Sequence, residues 1–287
     1  MKIKRIATAA VAVCALYGQG DLVFRAQTRL VEVYATVRDH SGRYLDGLPQ
    51  DRFQITDNGS PQPISLFESD SAPLSCAVLL DTTGSMVGVL PAVKSSIMHM
   101  IDELSADDEV AIYTFSVGLR RVQDFTSDKA AAKQAVLRSR AAGGTALFDA
   151  ISELSREIEP RNGKKAIIVF TDGDDNSSTL NARAAVQRAK KAGVPVYAVA
   201  EGDALKSASL LSEIREIAES TGAKFHQVHK TGDISDVFKD ISGDLGHTYL
   251  LAYKAPPATD QKWRSIALAV SGVKDVKIRA KEGYFPE

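Results

Sequence analysis

The amino-acid sequence predicts an α/β fold: a doubly wound, mostly parallel sheet inserted into a small β-sandwich that the N- and C-terminal flanks build together. Three observations carry this prediction. Between residues 74 and 245, short apolar runs alternate with longer stretches of helical periodicity, the pattern of strands and crossover helices in a parallel sheet. On either side of that core the apolar period falls to two, the mark of half-buried strands. Each flank is also only about fifty residues, too few to bury a sheet face alone, so the economical solution joins the two.

The elements follow in chain order. Met1-Lys2-Ile3-Lys4-Arg5 is basic, the run from Ile6 to Tyr17 is apolar, and Gly18 and Gly20 are small. That layout predicts a secretory signal peptide over residues 1–20, because an apolar run of about a dozen residues falls short of the ~20 that a spanning helix needs. Cys14 lies inside the run, but Val13 precedes it where a lipoprotein signal would place a small residue. The expected location is therefore exported, whether periplasmic, cell-surface or secreted, with no stable membrane span once the signal is removed. Cleavage would leave Cys76 as the single cysteine and exclude an intramolecular disulfide. Losing Lys2, Lys4 and Arg5 would take the formal net charge from −1 to −4, which gives no reason to expect a nucleic-acid partner. With 44% hydrophobic and 25% charged residues, the composition is that of an ordinary globular protein.

Residues 21–73 form the first flank. Val31, Val33, Ala35 and Val37 alternate with polar or bulkier residues, Ser41-Gly42 and Asn58-Gly59 supply turn chemistry, and alternation resumes at Phe53, Ile55 and at Ile64, Leu66. In the core, residues 74–245, the strand candidates are Cys76 to Asp81, Glu109 to Phe115, Lys165 to Thr171, Val194 to Ala200 and Ala223 to Val228. Most are apolar on both faces, as helices covering both sides of a sheet require. Leu119 to Phe125 is one more strand candidate, at an edge. Leu90, Val93, Ile97, Ile101 and Leu104, and then Leu210, Ile214 and Ile217, fall at the three- and four-residue spacing of one-sided helices. Residues 246–287 return to a period of two at Tyr249, Leu251, Tyr253, at Ile266, Leu268, Val270, and at Val276, Ile278.

The chemistry lies in oxygen side chains at strand ends. The first core strand runs into Asp81-Thr82-Thr83-Gly84-Ser85, so the Thr83 and Ser85 hydroxyls follow the Asp81 carboxylate at two-residue spacing. A later strand ends in Thr171-Asp172-Gly173, and the loop Gly143-Gly144-Thr145 offers a further hydroxyl. In an open α/β sheet, ligands gather beyond the carboxyl ends of strands at a topological switch point. Carboxylates and hydroxyls without histidine or thiolate suit Mg²⁺ or Mn²⁺, with Ca²⁺ as a third option, rather than Zn²⁺.

The run Asp81-Thr82-Thr83-Gly84-Ser85 resembles the D-x-S-x-S signature of von Willebrand factor A domains, and Thr145 in GGTALFDAI and Asp172 in FTDG resemble that family's remaining metal-site residues. The resemblance covers roughly Leu74 to Leu245. It implies a Rossmann-like sheet and a metal-ion-dependent adhesion site, with Thr83, Ser85 and Thr145 nearest the metal and Asp81 and Asp172 acting directly or through water. Thr83 departs from the pattern, where serine is more usual, but keeps the hydroxyl. The flanks, with DHSGRYLDGLPQDRFQITDNGSPQPISLFES before the core and EGYFPE at the end, resemble a bacterial group of exported von Willebrand factor A-related proteins.

Competing readings can be weighed on the same residues. Asp81, Ser85 and Thr145 could each cap a following helix, although their joint occurrence at two strand ends and a loop favours a metal. Asp174, Asp175 and Asn176 extend the acidic loop, but a calcium loop would need glycine at Ser177 and glutamate at Arg183. Asp149 reads as a helix-start carboxylate. His226 and His229, three apart on a strand, point to opposite faces. There is no phosphate-binding G-x-x-x-x-G-K-[ST] loop and no G-x-S-x-G elbow, and an aspartyl phosphotransferase would want a second aspartate at Thr83. The expectation is a non-enzymatic module that binds a protein partner through an Asp or Glu carboxylate, with a structural component whose metal only stabilises the loops as the alternative.

Overall fold

The computed structural model describes residues 30–257 and 260–286; the expected signal peptide lies outside the described residues. The first flank contributes β1 (Leu30–Arg38), β2 (Phe53–Asp57), β3 (Ser60–Gln62) and β4 (Ile64–Glu68). The central domain runs through β5 (Leu74–Asp81), α1 (Leu90–Glu103), β6 (Glu109–Phe115), β7 (Leu119–Thr126), α2 (Lys129–Arg138), α3 (Leu147–Ile158), β8 (Lys164–Thr171), α4 (Ala182–Ala192), β9 (Val196–Glu201), α5 (Ala208–Ser220), β10 (Phe225–Val228) and α6 (Ile234–Gly246). The second flank adds β11 (Thr248–Lys254), β12 (Arg264–Val270), β13 (Lys277–Ala280) and β14 (Gly283–Tyr284).

The central sheet has the order β10-β9-β8-β5-β6-β7, all parallel except the antiparallel edge strand β7. Its strands are apolar on both faces because both are covered. Cys76, Val78 and Leu80 of β5 join the core under α1, α2 and α6, while Ala77 and Leu79 face the core under α3, α4 and α5. The chain winds from β5 to β6 on one side and returns to β8 on the other, so the strand order reverses about β5. That switch point sets the ends of β5 and β8 side by side, with Leu80 opposite Phe170.

Strands from both flanks share two further sheets, β13-β1-β11-β4 and β14-β12-β2-β3. Their inner faces meet in one core that includes Val31, Val33, Phe53, Ile55, Tyr249, Leu251 and Tyr253. The charge of Asp57, buried there, is compensated: Asp57 accepts from Tyr253 Oη (2.9 Å), Tyr284 Oη (2.9 Å) and Arg264 Nε (2.7 Å). β1 departs from simple alternation, since Tyr34 and Thr36 are buried as well as Val33 and Ala35. Its outer face lies against the central domain, where Glu32 pairs with Lys165 at 3.0 Å and Tyr34 Oη donates to Gly163 O at 3.4 Å.

The second seam between the parts centres on Asp244, fully buried near the end of α6. Arg279 of β13 pairs with it, as do Arg38 of β1 at 3.1 Å and Lys224 at 3.0 Å, while Tyr44 and Tyr197 each donate a hydroxyl at 2.9 Å. Among the described residues no helix is long and apolar enough to cross a membrane.

Candidate metal centre

The site is built where β5 ends. Asp81 is fully buried, and both its oxygens accept hydrogen bonds, Oδ1 from the Thr83 N–H (2.9 Å) and Oδ2 from Thr171 Oγ1 (2.8 Å) at the end of β8. The chain then turns over the sheet edge. Thr82 N and Oγ1 both donate to Phe115 O at the end of β6, each at 2.9 Å, while Ala142 N donates to Thr82 O (2.6 Å) and Gly84 N to Gly143 O (3.3 Å). These bonds tie the loop after β5 to the loop before α3.

Side-chain oxygens line up across that junction. Thr83 Oγ1 lies 2.9 Å from Ser85 Oγ, which in turn donates to Asp172 Oδ1 at 2.8 Å. Thr145 enters from the third loop: a Cβ on Gly173 would sit 3.4 Å from Ser85 Oγ and 3.6 Å from Thr145 Oγ1, so both hydroxyls face the same point of the β8 loop. Asp81, Thr83, Thr145 and Asp172 are all buried, whereas Ser85 is exposed and forms the mouth. The five residues singled out from the sequence therefore lie together at the ends of β5 and β8 and the loop before α3.

None of them works as a helix cap. Thr83, Val89 and Ala146 occupy the positions before the following helical turns, and none makes a side-chain capping bond. The start of α3 is instead served by the 173–180 loop, with Asp175 Oδ2 accepting from Phe148 N (3.0 Å) and Ser178 Oγ from Asp149 N (3.1 Å). Asp149 reciprocates from the first turn of α3 by accepting from Thr179 N (2.8 Å), Thr179 Oγ1 (2.9 Å) and Leu180 N (2.9 Å). Asn176 Oδ1 accepts from Thr145 N (3.0 Å), and Thr145 O accepts from Asn176 N and Ser177 N. Gly143 and Gly144 allow this close passage. Gly143 has φ +95°, and a Cβ on Gly144 would meet Ser177 Oγ at 2.6 Å.

Thr171, Asp175 and Asn176 as positioning residues were not read from the sequence. The acidic character of the 174–176 loop was visible, but its partners lie about thirty residues upstream and carry no spacing signal. His226 lies on β10 opposite Asp240 of α6, 3.5 Å away, and His229 follows the end of that strand.

Burial pushes the Asp81 carboxyl up to about 6, against the bonds from Thr171 and Thr83 that favour its ionised form. Burial also raises Asp172, opposed by Ser85 and assisted by the charge of Asp203. Among the described residues neither carboxylate has an ion-pair partner, so two buried acids face each other across hydroxyls with no cation to balance them. Unpaired buried charge is costly, and a hard cation supported by three hydroxyls is the chemistry that would relieve it. No group of three or more His, Cys, Asp or Glu among the described residues could hold a metal, so a cation here would rest largely on hydroxyl oxygens.

Comparison with known proteins bears on this geometry. The family described as the von Willebrand factor type A domain matches residues 76–240. No curated protein sequence matches the chain. A von Willebrand factor type A structure from Catenulispora acidiphila is similar at TM-score 0.54 and 15% identity, covering 92% of this chain and 76% of that one. Proximal thread matrix protein 1 from the mussel byssus, solved with a zinc-occupied MIDAS motif, is similar at TM-score 0.53 and 20% identity; 66% of this chain spans about half (49%) of that one. The vWF domain of the type V pili tip protein Mfa5 from Porphyromonas gingivalis is similar at TM-score 0.50 and 13% identity over 66% of this chain and 99% of its own. At such identities the likeness is one of fold.

Proposed function

Because the chain belongs to the von Willebrand factor type A family, we propose that its central domain, residues 74–245, is a metal-dependent protein-binding module. In this reading Asp81, Thr83, Ser85, Thr145 and Asp172 hold Mg²⁺ or Mn²⁺, with Ca²⁺ as a third candidate, and the metal captures an Asp or Glu carboxylate of a partner protein. The observation that carries it is the pair of buried carboxylates, Asp81 and Asp172, joined by hydroxyls and without a cationic partner among the described residues. When bound, a divalent cation in such a site is a Lewis acid with mostly neutral ligands, still electrophilic enough to take an incoming carboxylate in place of water.

The reading extends to the rest of the chain. Residues 1–20 are the export signal, residues 21–73 and 246–287 are the two halves of a supporting β-sandwich, and the protein works outside the cytoplasm as an interaction module rather than an enzyme. The alternative, a metal that merely orders the loops, is disfavoured by the loops themselves. They are already cross-tied by Asp81–Thr171, Asn176–Thr145 and Asp175–Phe148 bonds, so a cation is not needed to hold them.

Titration calorimetry of the purified chain tests the proposal. One divalent ion per chain should bind, and binding should raise the melting temperature by mass action. Zn²⁺ belongs in the same series, since the mussel relative holds zinc in its motif. If Asp81→Ala and Asp172→Ala leave the response to Mg²⁺ and Mn²⁺ unchanged, the site assignment is wrong.

A further inference from the structure

The surface around the site mouth is divided by chemistry. On the β9 and α5 side it is acidic: Glu201 ends β9 and feels the charge of Asp172, Asp203 follows it and acts on Asp172, and Glu213 of α5 feels Asp174 and Asp175 of the neighbouring loop. The opposite side, toward α1 and α2, is apolar and basic. Val87, Leu90, Pro91, Met98 and Leu137 line an open groove of about 500 Å³ between the start of α1 and the end of α2.

Three facts set this groove apart from ordinary surface. Five large hydrophobic side chains stay exposed among the described residues, and Val87 (67%) and Leu137 (49%) line this groove. A third, Val117 (70%), lies against Gly143 of the loop that carries Thr145. The groove also shares its walls with the metal loops. Val87 follows Ser85 by two residues, and Ala141 of the lining precedes Ala142, whose N–H bonds Thr82 O. Its charge has one sign: Lys94 and Arg140 line it and no acidic residue does. Lys94 Nζ is pinned by Leu137 O (2.9 Å) and Ser139 O (2.5 Å), whereas Arg140 is exposed and makes no ion pair among the described residues.

Resting on the metal-dependent reading above, we propose that the partner is recognised as a short acidic and apolar segment: its carboxylate reaches the metal while an adjacent apolar side chain fills the groove lined by Val87, Met98 and Leu137. Arg140 then meets a further carboxylate or a carbonyl of the same segment. The charge division sets the direction in which that segment lies. It runs from the site mouth toward α1 and α2, because the other direction would carry its acid across Glu201 and Asp203. An apolar groove built on the same loops as a cation site gives two-part recognition, in which the metal supplies the anchor and the groove selects the neighbouring residue.

A random peptide library displayed on phage, panned on the full chain in Mg²⁺ and in Mn²⁺, tests this. The expected result is enrichment of peptides with Asp or Glu beside Leu, Ile, Val, Met or Phe, released by chelator. With one enriched peptide as the probe, Val87→Ser or Leu137→Ser should weaken binding about tenfold through the lost apolar burial while leaving metal binding intact. Both side chains are exposed, so the fold should tolerate either change. Arg140→Glu should weaken binding by a similar factor, and more at low salt. Acidic peptides with no apolar preference, or a preference unaltered in the groove variants, would overturn the groove and leave the metal reading standing. Apolar enrichment that survives chelation would overturn the joint site. If no metal-dependent peptide is recovered although the metal binds, carboxylate capture and the groove proposal fall together. Binding to anionic vesicles or self-association that depends on Leu137 and Arg140, without peptide binding, would assign the groove to a lipid surface or a second copy and overturn the proposal.

Discussion

At the scale of single residues, Asp81 sets the pH behaviour. Burial raises its carboxyl from 3.8 to about 6, so between these values the folded, metal-free chain keeps a proton that the unfolded chain has lost. The contribution to metal-free stability is therefore fully present below a pH of about 4 and lost as pH rises through about 6. Metal binding runs the other way, since the cation needs the ionised carboxylate. The thermal shift caused by Mg²⁺ should be small near pH ~5 and full near pH ~7.5, with affinity rising about tenfold per pH unit while one proton is displaced. Melting curves with and without metal across that range would check it; a metal response that is flat with pH would mean that Asp81 does not exchange its proton for the cation. Thr171 supplies the second test. Replacing it by valine keeps the shape but removes the donor to Asp81 Oδ2, and should cost about 1–3 kcal/mol of stability measured by denaturant unfolding. The oxygen residues were legible in the sequence because Asp81, Thr83, Ser85 and Asp172 stand at or just after a strand end and Thr145 in a glycine loop before a helix. Thr171, Asp175 and Asn176 were not, because a hydrogen bond between residues far apart in the chain leaves no local pattern.

At the scale of elements, the inner strands β5, β6, β8 and β9 of the central sheet were readable from apolar runs, and β6 begins and ends where those runs predict, whereas the polar edge strand β7 shows little such run. α2 was harder to see, because only Ala132, Ala135 and Val136 are buried on it and alanine-rich stretches carry little periodic contrast. β3 and β14 are too short for alternation to register. In β1, Tyr34 and Thr36 interrupt the expected outward face because the central domain covers it, a tertiary fact that a period-two pattern cannot encode. The mutual latch between α3 and the 173–180 loop carries its own prediction. Asp149→Ala removes the acceptor for Thr179 N and Leu180 N, so amides 173–180 should exchange faster with solvent, and metal affinity should fall a few-fold because Thr145 and Asp172 are less well held. Unchanged exchange in that loop would show that Asp175 and Ser178 hold it without help.

For the whole molecule, Asp244 joins the parts. Three cations from β1, β13 and the segment before β10 converge on this one fully buried carboxylate. Asp244→Ala removes the carboxylate that all three share, leaving Arg38 and Lys224 with Asp240 alone, and should cost about 3–5 kcal/mol, read as a lowered melting temperature with the sandwich strands most exposed to exchange. Asp244→Asn, which keeps the shape, should fall between the two. The order of the sheets has a temporal consequence. β1 pairs with β11, so Val33 waits for Leu251, which the ribosome adds only after the entire central domain. Loop closure over so long a connection is entropically slow unless the intervening chain first becomes compact. The central domain should therefore fold first and draw the ends of β4 and β11 together, acting as the template on which the sandwich closes. Until then β1, β4 and the β2–β3 hairpin stand with open edges on a nascent chain, the state most open to aggregation. Pulse-labelled hydrogen exchange during refolding should find β5 and β8 protected before β1; simultaneous protection would mean that the flanks find each other without the domain between them.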